Sequence, residues 1–180
     1  MWQSGLHGTG RGLPGALSWG RVPVRQLDPG EGETLRTLRL EALLDSPDEF
    51  SSTYEREAVR TTQEWAHWLA AGATFVYDDP SRGPVGLVAA VPDEDGPAVV
   101  WLMAMWVQPA ARATGAAGAL VDAVVAWAIR HDATRVRLHV VEHNAVARRL
   151  YERHGFRPTG QVERDGVTEV AMEVRVGPGG

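Results

Sequence analysis

The chain has no cysteine among its 180 residues. That excludes a disulfide framework, a thiolate-bound zinc and a cysteine nucleophile, and it fits a reducing compartment such as the cytoplasm. Positive charge is not in surplus: 18 basic residues against 23 acidic ones leave a net charge of −5 and a pI near 5.7. Nucleic acid is therefore not expected as a partner. No apolar run is long enough to span a bilayer, so no membrane partner is expected either. Residues 1–20 also lack the basic start and apolar centre of a signal peptide. What is present, 44% hydrophobic and 23% charged residues, is the composition of a folded domain large enough for a real core.

The most informative stretch runs from Val99 to His131. Val99–Val107 is an apolar run of the length of a buried strand. Gln108–Gly115 is a turn, and from Ala116 onward Ala117, Leu120, Val121, Val124, Val125 and Ala128 recur at helical spacing. A strand thus feeds a helix through a loop that reads Arg112-Ala113-Thr114-Gly115-Ala116-Ala117. The first turn of a helix leaves N–H groups unpaired at the positive end of its dipole, which suits an anion. Small side chains at Gly115, Ala116, Ala117 and Gly118 let a diphosphate approach the main chain, and Arg112 adds charge. The plainer alternative is a helix start kept small for packing on a sheet.

The rest of the chain reads in order as one domain over 21–176, between a glycine-rich leader (1–20) and a tail (177–180), both expected to be disordered. Arg21–Leu27 is a first strand and Glu33–Asp45 a helix. Phe50–Glu57 is a polar connection. A helix capped by Thr61 or Thr62 then carries Trp65 and Trp68 on one face, both expected in the core, and stops at Gly72. Strands follow at Ala73–Tyr77, Val85–Val91 and, after the long helix, Arg135–Val141, whose other face is polar with Arg135, Arg137 and His139. A helix starts at Asn144 and ends at Gly155, and a hairpin over Val162–Val176 turns at Asp165-Gly166.

Two motifs carry a resemblance. Val107-Gln108-Pro109 followed by Arg112-Ala113-Thr114-Gly115-Ala116-Ala117 resembles the acetyl-CoA signature R-x-x-G-x-A of the GNAT superfamily of N-acetyltransferases. Asn144 to Phe156 is similar to that superfamily's N-x-x-A-x-x-L-Y-x-x-x-G-F at every fixed position. The loop lacks the Gly-Lys-Ser/Thr of a Walker motif and the glycine spacing of a dinucleotide fingerprint.

The resemblance implies an α/β (α+β) fold: a mixed, mostly antiparallel sheet of about seven strands, flanked by about four helices, with splayed central strands. It implies acetyl-CoA as co-substrate, no metal, and acetyl transfer to an amine by direct attack in a ternary complex. By position, main-chain groups of Met105 and Val107 would hold the pantetheine arm. The amides of Arg112, Ala113, Thr114, Gly115, Ala116 and Ala117 would hold the pyrophosphate. Asn144 would bond the cofactor near the thioester, and Tyr151 would protonate the leaving thiolate. Tyr54, Glu55 and Glu57 would form an acidic, aromatic acceptor wall, which favours a small cationic amine. Protein N-termini or lysines, and a non-catalytic acyl-CoA sensor, are the alternatives. The chain would act as a monomer or homodimer. Many relatives carry a glutamate on the strand before the loop; here Val100–Val107 is uncharged. The proton acceptor is thus open among Glu55, Glu57, His139 and Glu142.

Overall fold

The computed structural model describes residues 23–94 and 96–177; the leader expected over 1–20 and the end of the tail lie outside them. Seven strands form one sheet in the order β1-β2-β3-β4-β5-β7-β6. They are β1 (Val24–Gln26), β2 (Ala73–Asp79), β3 (Gly83–Asp93), β4 (Gly96–Val107), β5 (Arg135–Val141), β6 (Arg157–Arg164) and β7 (Val167–Arg175). Neighbours are antiparallel except β4 and β5, which run parallel because a helix carries the chain back between them.

Five α-helices lie among the described residues: α1 (Gly32–Asp45), α2 (Tyr54–Ala58), α3 (Thr62–Ala70), α4 (Ala116–Arg130) and α5 (Ala145–Arg153). That is one more than the four expected. The addition is α2, inside the segment read as a connection. The Thr53 hydroxyl caps it by accepting from the Arg56 N–H at 3.3 Å. Helix α3 starts on a capping box, with Thr61 and Glu64 satisfying each other's main-chain N–H groups. Gly72 follows α3 because the main chain passes so close to β3 that a Cβ there would stand 2.2 Å from the Ala90 carbonyl oxygen. Among the described residues, no helix is long and apolar enough to cross a membrane, and no cluster of three or more metal-ligating side chains is found.

Each face of the sheet carries a core. On one side α4 and α5 bury Leu120, Val121, Val124 and Tyr151 against Val100, Leu102, Leu138 and Val140. On the other, α1 and α3 bury Leu35, Leu38, Trp65 and Leu69 against Val76, Leu87 and Trp106. Fully burying one such aliphatic side chain contributes roughly 1.5–3 kcal/mol, so both faces hold their helices firmly. Since side chains alternate along a strand, residues next to the first set on β4 and β5, such as Trp101 and His139, point to the second face.

The sheet opens at its centre. Strands β4 and β5 pair only through Val99–Trp101 against Arg135–Arg137. Beyond that, Met103 faces Ala89 and Trp106 faces Leu87, so Ala104 and Met105 together oppose Val88. Ala104 takes a left-handed φ of 54° to make this bulge. A bulge bends its strand, and here it turns the end of β4 away from β5.

Candidate active site

The opening between β4 and β5 is the mouth of a cavity of about 680 Å³. Tyr151 and Asn144 line it from the α5 side, Met105 and Trp101 from β4, and His139 from β5. Residues 54, 55 and 57 do not line it.

The loop after β4 is exposed and shaped by two left-handed residues, Ala113 (φ 62°) and Gly115 (φ 93°). Gly115 is the N-cap of α4 and has no side chain to satisfy the first turn. Among the described residues, no main-chain carbonyl accepts from the N–H groups of Gly115, Ala116, Ala117 and Gly118. The next N–H, of Ala119, is paired with the Gly115 carbonyl at 3.0 Å. An anion-sized set of donors is therefore open at the positive end of a helix. Gly118 is small for another reason: a Cβ there would lie 3.1 Å from Nε2 of His154.

Arg112 departs from its expected part. Its main-chain N–H is spent on the Pro109 carbonyl at 3.2 Å. Its guanidinium donates to the Val107 carbonyl at 2.9 Å through Nε and pairs with Asp45 through Nη2. Asp45 also accepts from the Trp106 indole at 2.9 Å. Burial alone would raise the Asp45 pKa, but these bonds from Trp106, Ser46 and Arg112 outweigh it and hold the carboxylate ionised. The side chain of Arg112 thus pins the loop to the end of α1. Val107 sits opposite Gly86, and the bond from Gln108 N–H to the Val85 carbonyl makes that a pair without mutual hydrogen bonds. Its N–H and C=O therefore face the opening, although the carbonyl is already met by Arg112.

Asn144 is the N-cap of α5, its Oδ1 accepting from the Ala147 N–H at 2.9 Å. Its Nδ2 donates across the cavity to Glu49. Tyr151 is 5% exposed. Its ring centroid lies 5.7 Å from that of Phe156. The hydroxyl finds no hydrogen-bond partner among the described residues. Burial first, and the charge of Glu49 second, push its pKa well above the usual phenol value, so the proton stays on the oxygen at neutral pH.

The acceptor wall expected at Tyr54, Glu55 and Glu57 is corrected. Glu55 points to solvent, and Glu57 is 1% exposed and turned inward. Its carboxylate accepts two bonds from Arg39, 3.0 Å from Nε and 2.9 Å from Nη2. Burial raises the Glu57 pKa, and the Arg39 bonds and charge lower it further than that, leaving it below the usual carboxylate range. The reason is electrostatic: a carboxylate forced under α1 keeps its charge only beside a guanidinium. Glu142, exposed and held by Gln161 at 2.7 Å, is outside the cavity too.

Among the described residues, the carboxylates that do face the cavity are Glu49, Asp93, Glu94 and Glu169, together with the rings of Phe50, Trp68 and Trp101. Trp68 parts company with Trp65: the latter is buried, the former half-buried at the cavity edge. The sequence carried a weak signal for Glu169, a carboxylate beside Val170 and Met172 in an alternating strand. For Glu49, in the turn after α1, and Asp93, at the end of β3, it carried none.

Comparison with known proteins bears on the family and the fold. The profile of the "Acetyltransferase (GNAT) family" matches residues 39–156. No curated protein matches the chain by sequence. Among solved structures, a GNAT-family acetyltransferase from Streptococcus pneumoniae is 20% identical with a TM-score of 0.73, covering 86% of this chain and 98% of its own. A GCN5-related N-acetyltransferase from Kribbella flavida is 23% identical, with a TM-score of 0.71 and coverages of 85% and 96%. A putative acetyltransferase from Salmonella typhimurium, solved with its cofactor acetyl-CoA, is 16% identical, with a TM-score of 0.70 and coverages of 85% and 92%. At these identities the structural likenesses speak to the fold, and it is the profile match over most of the domain that places the chain in the GNAT family of acetyl-CoA-dependent N-acetyltransferases.

Proposed function

We propose that this enzyme acetylates a small cationic primary amine. The observation that carries the reading is the cavity's charge: among the described residues Glu49, Glu94 and Glu169 face Arg164 and an Arg39 that Glu57 already neutralises. The excess of carboxylate attracts an ammonium group, and the rings of Trp68 and Trp101 offer faces to it and to its alkyl part. A concave site of this kind suits a small molecule better than a folded protein surface.

In this reading acetyl-CoA lies in the β4–β5 opening. The N–H groups of Gly115, Ala116, Ala117 and Gly118 bind its pyrophosphate, and the N–H of Val107 and main chain of Met105 bind its pantetheine arm. Asn144 positions the thioester end while capping α5. Tyr151 supplies a proton to the sulfur that leaves.

Acceptor preference is tested by release of free thiol from acetyl-CoA with a panel of amines. Diamines and polyamines are expected to turn over faster than neutral amines and than peptides with free N-termini. A preference for peptides would overturn the acceptor class, and acetyl-CoA binding without turnover on any amine would make the protein a sensor.

The loop is tested separately by Gly115→Glu. Nothing crowds a Cβ at this position, but the φ of 93° and the new carboxylate both work against the anion site. Calorimetric affinity for coenzyme A should fall by at least tenfold, about 1.4 kcal/mol. Unchanged affinity in a folded variant would remove the loop from the pyrophosphate site.

A further inference from the structure

We infer that His139 is the general base of the transfer and that Glu169, on the neighbouring strand, is the residue that positions it. The inference rests on the amine-acetylating reading above and deepens it.

His139 stands on β5, on the face opposite Leu138 and Val140, at the cavity wall. Tyr151 lies with the α4 core on the first face. The two groups therefore flank the opening from opposite sides, where a base and an acid are needed on either side of a carbonyl carbon. The ring sits edge-on to Trp101, with centroids 5.1 Å apart. Its Nδ1 is 3.5 Å from Oε2 of Glu169 on β7, and its Nε2 has no hydrogen-bond partner among the described residues.

Glu169 explains the ring's orientation and its tautomer. Its Oε2 is buried and lacks a hydrogen bond in the present geometry. An orphaned carboxylate oxygen is costly, and an N–H at Nδ1 offsets that cost, the more so when the ring is charged. A small rotation closes the 3.5 Å contact, as such contacts often tighten when substrate binds. With the proton on Nδ1, the lone pair of Nε2 is left for the cavity. Other charges reach the ring from Arg164 on β6. From β3, Asp93 holds the Trp101 indole at 2.6 Å. Arg137, on the same face of β5, is held by Glu173 at 2.7 Å. Burial lowers the His139 pKa, Glu169 raises it and Arg164 lowers it, and the net result lies below the usual histidine value. The ring is thus neutral, and able to accept a proton, at neutral pH. The carboxylates of Glu55, Glu57 and Glu142 lie outside the cavity.

The step balances as follows. The bound ammonium gives one proton to His139 Nε2. The freed nitrogen lone pair forms the C–N bond to the acetyl carbon, and the C–S bond breaks with its electron pair on sulfur. Tyr151 donates its proton to that sulfur, and a second proton from the nitrogen returns to the phenolate oxygen through solvent. His139 then yields its proton to water. Ammonium plus thioester become amide, free thiol and one proton.

The experiment is the single-turnover rate against pH with the best amine of the panel, alongside calorimetric acetyl-CoA affinity. The wild-type rate should be flat above about pH 7 and fall below the usual histidine value of about 6.5. His139→Gln should be about 10²-fold slower at neutral pH. It should rise about tenfold per pH unit toward the amine's own pKa near 10, because only the free amine then reacts. Glu169→Ala should lose about tenfold, the lower end of what a missing outer partner costs a working histidine. Glu169→Gln keeps an acceptor for Nδ1–H, so it should recover part of that loss. Its acid limb should move to lower pH, because the charge that raised the histidine pKa is gone. Acetyl-CoA affinity should hold in all three variants. Nitrogen NMR of the histidines in the wild-type protein supplies a readout independent of folding variants, with His139 expected as the neutral Nδ1–H tautomer below the usual pKa. A flat wild-type-like profile in His139→Gln, or an Nε2–H tautomer, would overturn the base. An unmoved limb in Glu169→Gln would overturn the positioning role. Failure of every amine to turn over would instead sink the functional reading itself.

Discussion

Glu57→Ala should cost about 3–5 kcal/mol of stability, read as a lower midpoint in urea with an unchanged slope. The variant leaves the Arg39 guanidinium inside the protein, 5% exposed, with both of its carboxylate bonds gone. What stays around it are two ring faces, Phe50 at 4.6 Å and Trp68 at 5.6 Å, which attract a cation but do not replace a carboxylate. Nη1 of Arg39 is already buried without a partner, so the site has no reserve. The double variant Arg39→Met, Glu57→Leu should regain much of the loss, because replacing a buried ion pair by apolar groups is often neutral. The pH dependence has a definite sign. A carboxylate whose folded pKa is lowered adds stability above its unfolded pKa, and loses it as pH falls through the folded value. Glu57→Ala should therefore flatten the acid limb of the wild-type stability curve. If Glu57 instead served the acceptor, its removal would raise KM for the amine and leave the urea midpoint alone.

That contrast shows where the sequence stops being readable. The unit from β4 through the loop into α4 is legible because each part has its own local chemistry: an apolar run, a proline, a glycine and a helical apolar stripe. The structure starts α4 at Ala116, as the stripe predicts. The turn at Asp165-Gly166 is legible for the same reason, and both residues take the positive φ that a two-residue hairpin turn demands. Asn144 as a helix start follows from its side chain alone.

Contacts between distant segments left no such mark. Arg39 and Glu57 stand 18 positions apart, and a glutamate in a polar segment looks like a solvated one until α1 is seen to cover it. The polar face of β5 could be read, but not that β7 would set Glu173 against Arg137 and Glu169 against His139. The bulge that opens the sheet hides best. It falls on Ala104, an alanine inside an unbroken apolar run, where neither glycine nor proline announces the left-handed φ. Gly118 hides a second reason for being small, since a Cβ there would lie 3.1 Å from Nε2 of His154. His154 in turn is held by Asp122 at 2.9 Å, a contact between α4 and the end of α5 that no local pattern foretells.

Tyr151→Phe should lower kcat by about 10²-fold, the low end of the usual range for a general acid. The ring keeps its place beside Phe156, and the hydroxyl that is lost has no protein partner among the described residues. No buried group is orphaned by the change, so stability should stay within about 0.5 kcal/mol and acetyl-CoA affinity should hardly move. The modest size of the effect follows from acidity. A coenzyme A thiol has a pKa of about 8.5, so its thiolate leaves fairly well without help. A phenol whose pKa is pushed up by burial gives its proton only reluctantly, which caps what it can contribute. The same raised pKa fixes the alkaline behaviour: the wild-type rate should show no fall from phenol ionisation near the usual pKa of about 10. The rate must be measured in a single turnover, so that slow product release cannot mask the chemistry. A Tyr151→Phe variant that matches wild type in that assay would reduce the residue to a packing role, with the proton reaching sulfur from water in the opening between β4 and β5.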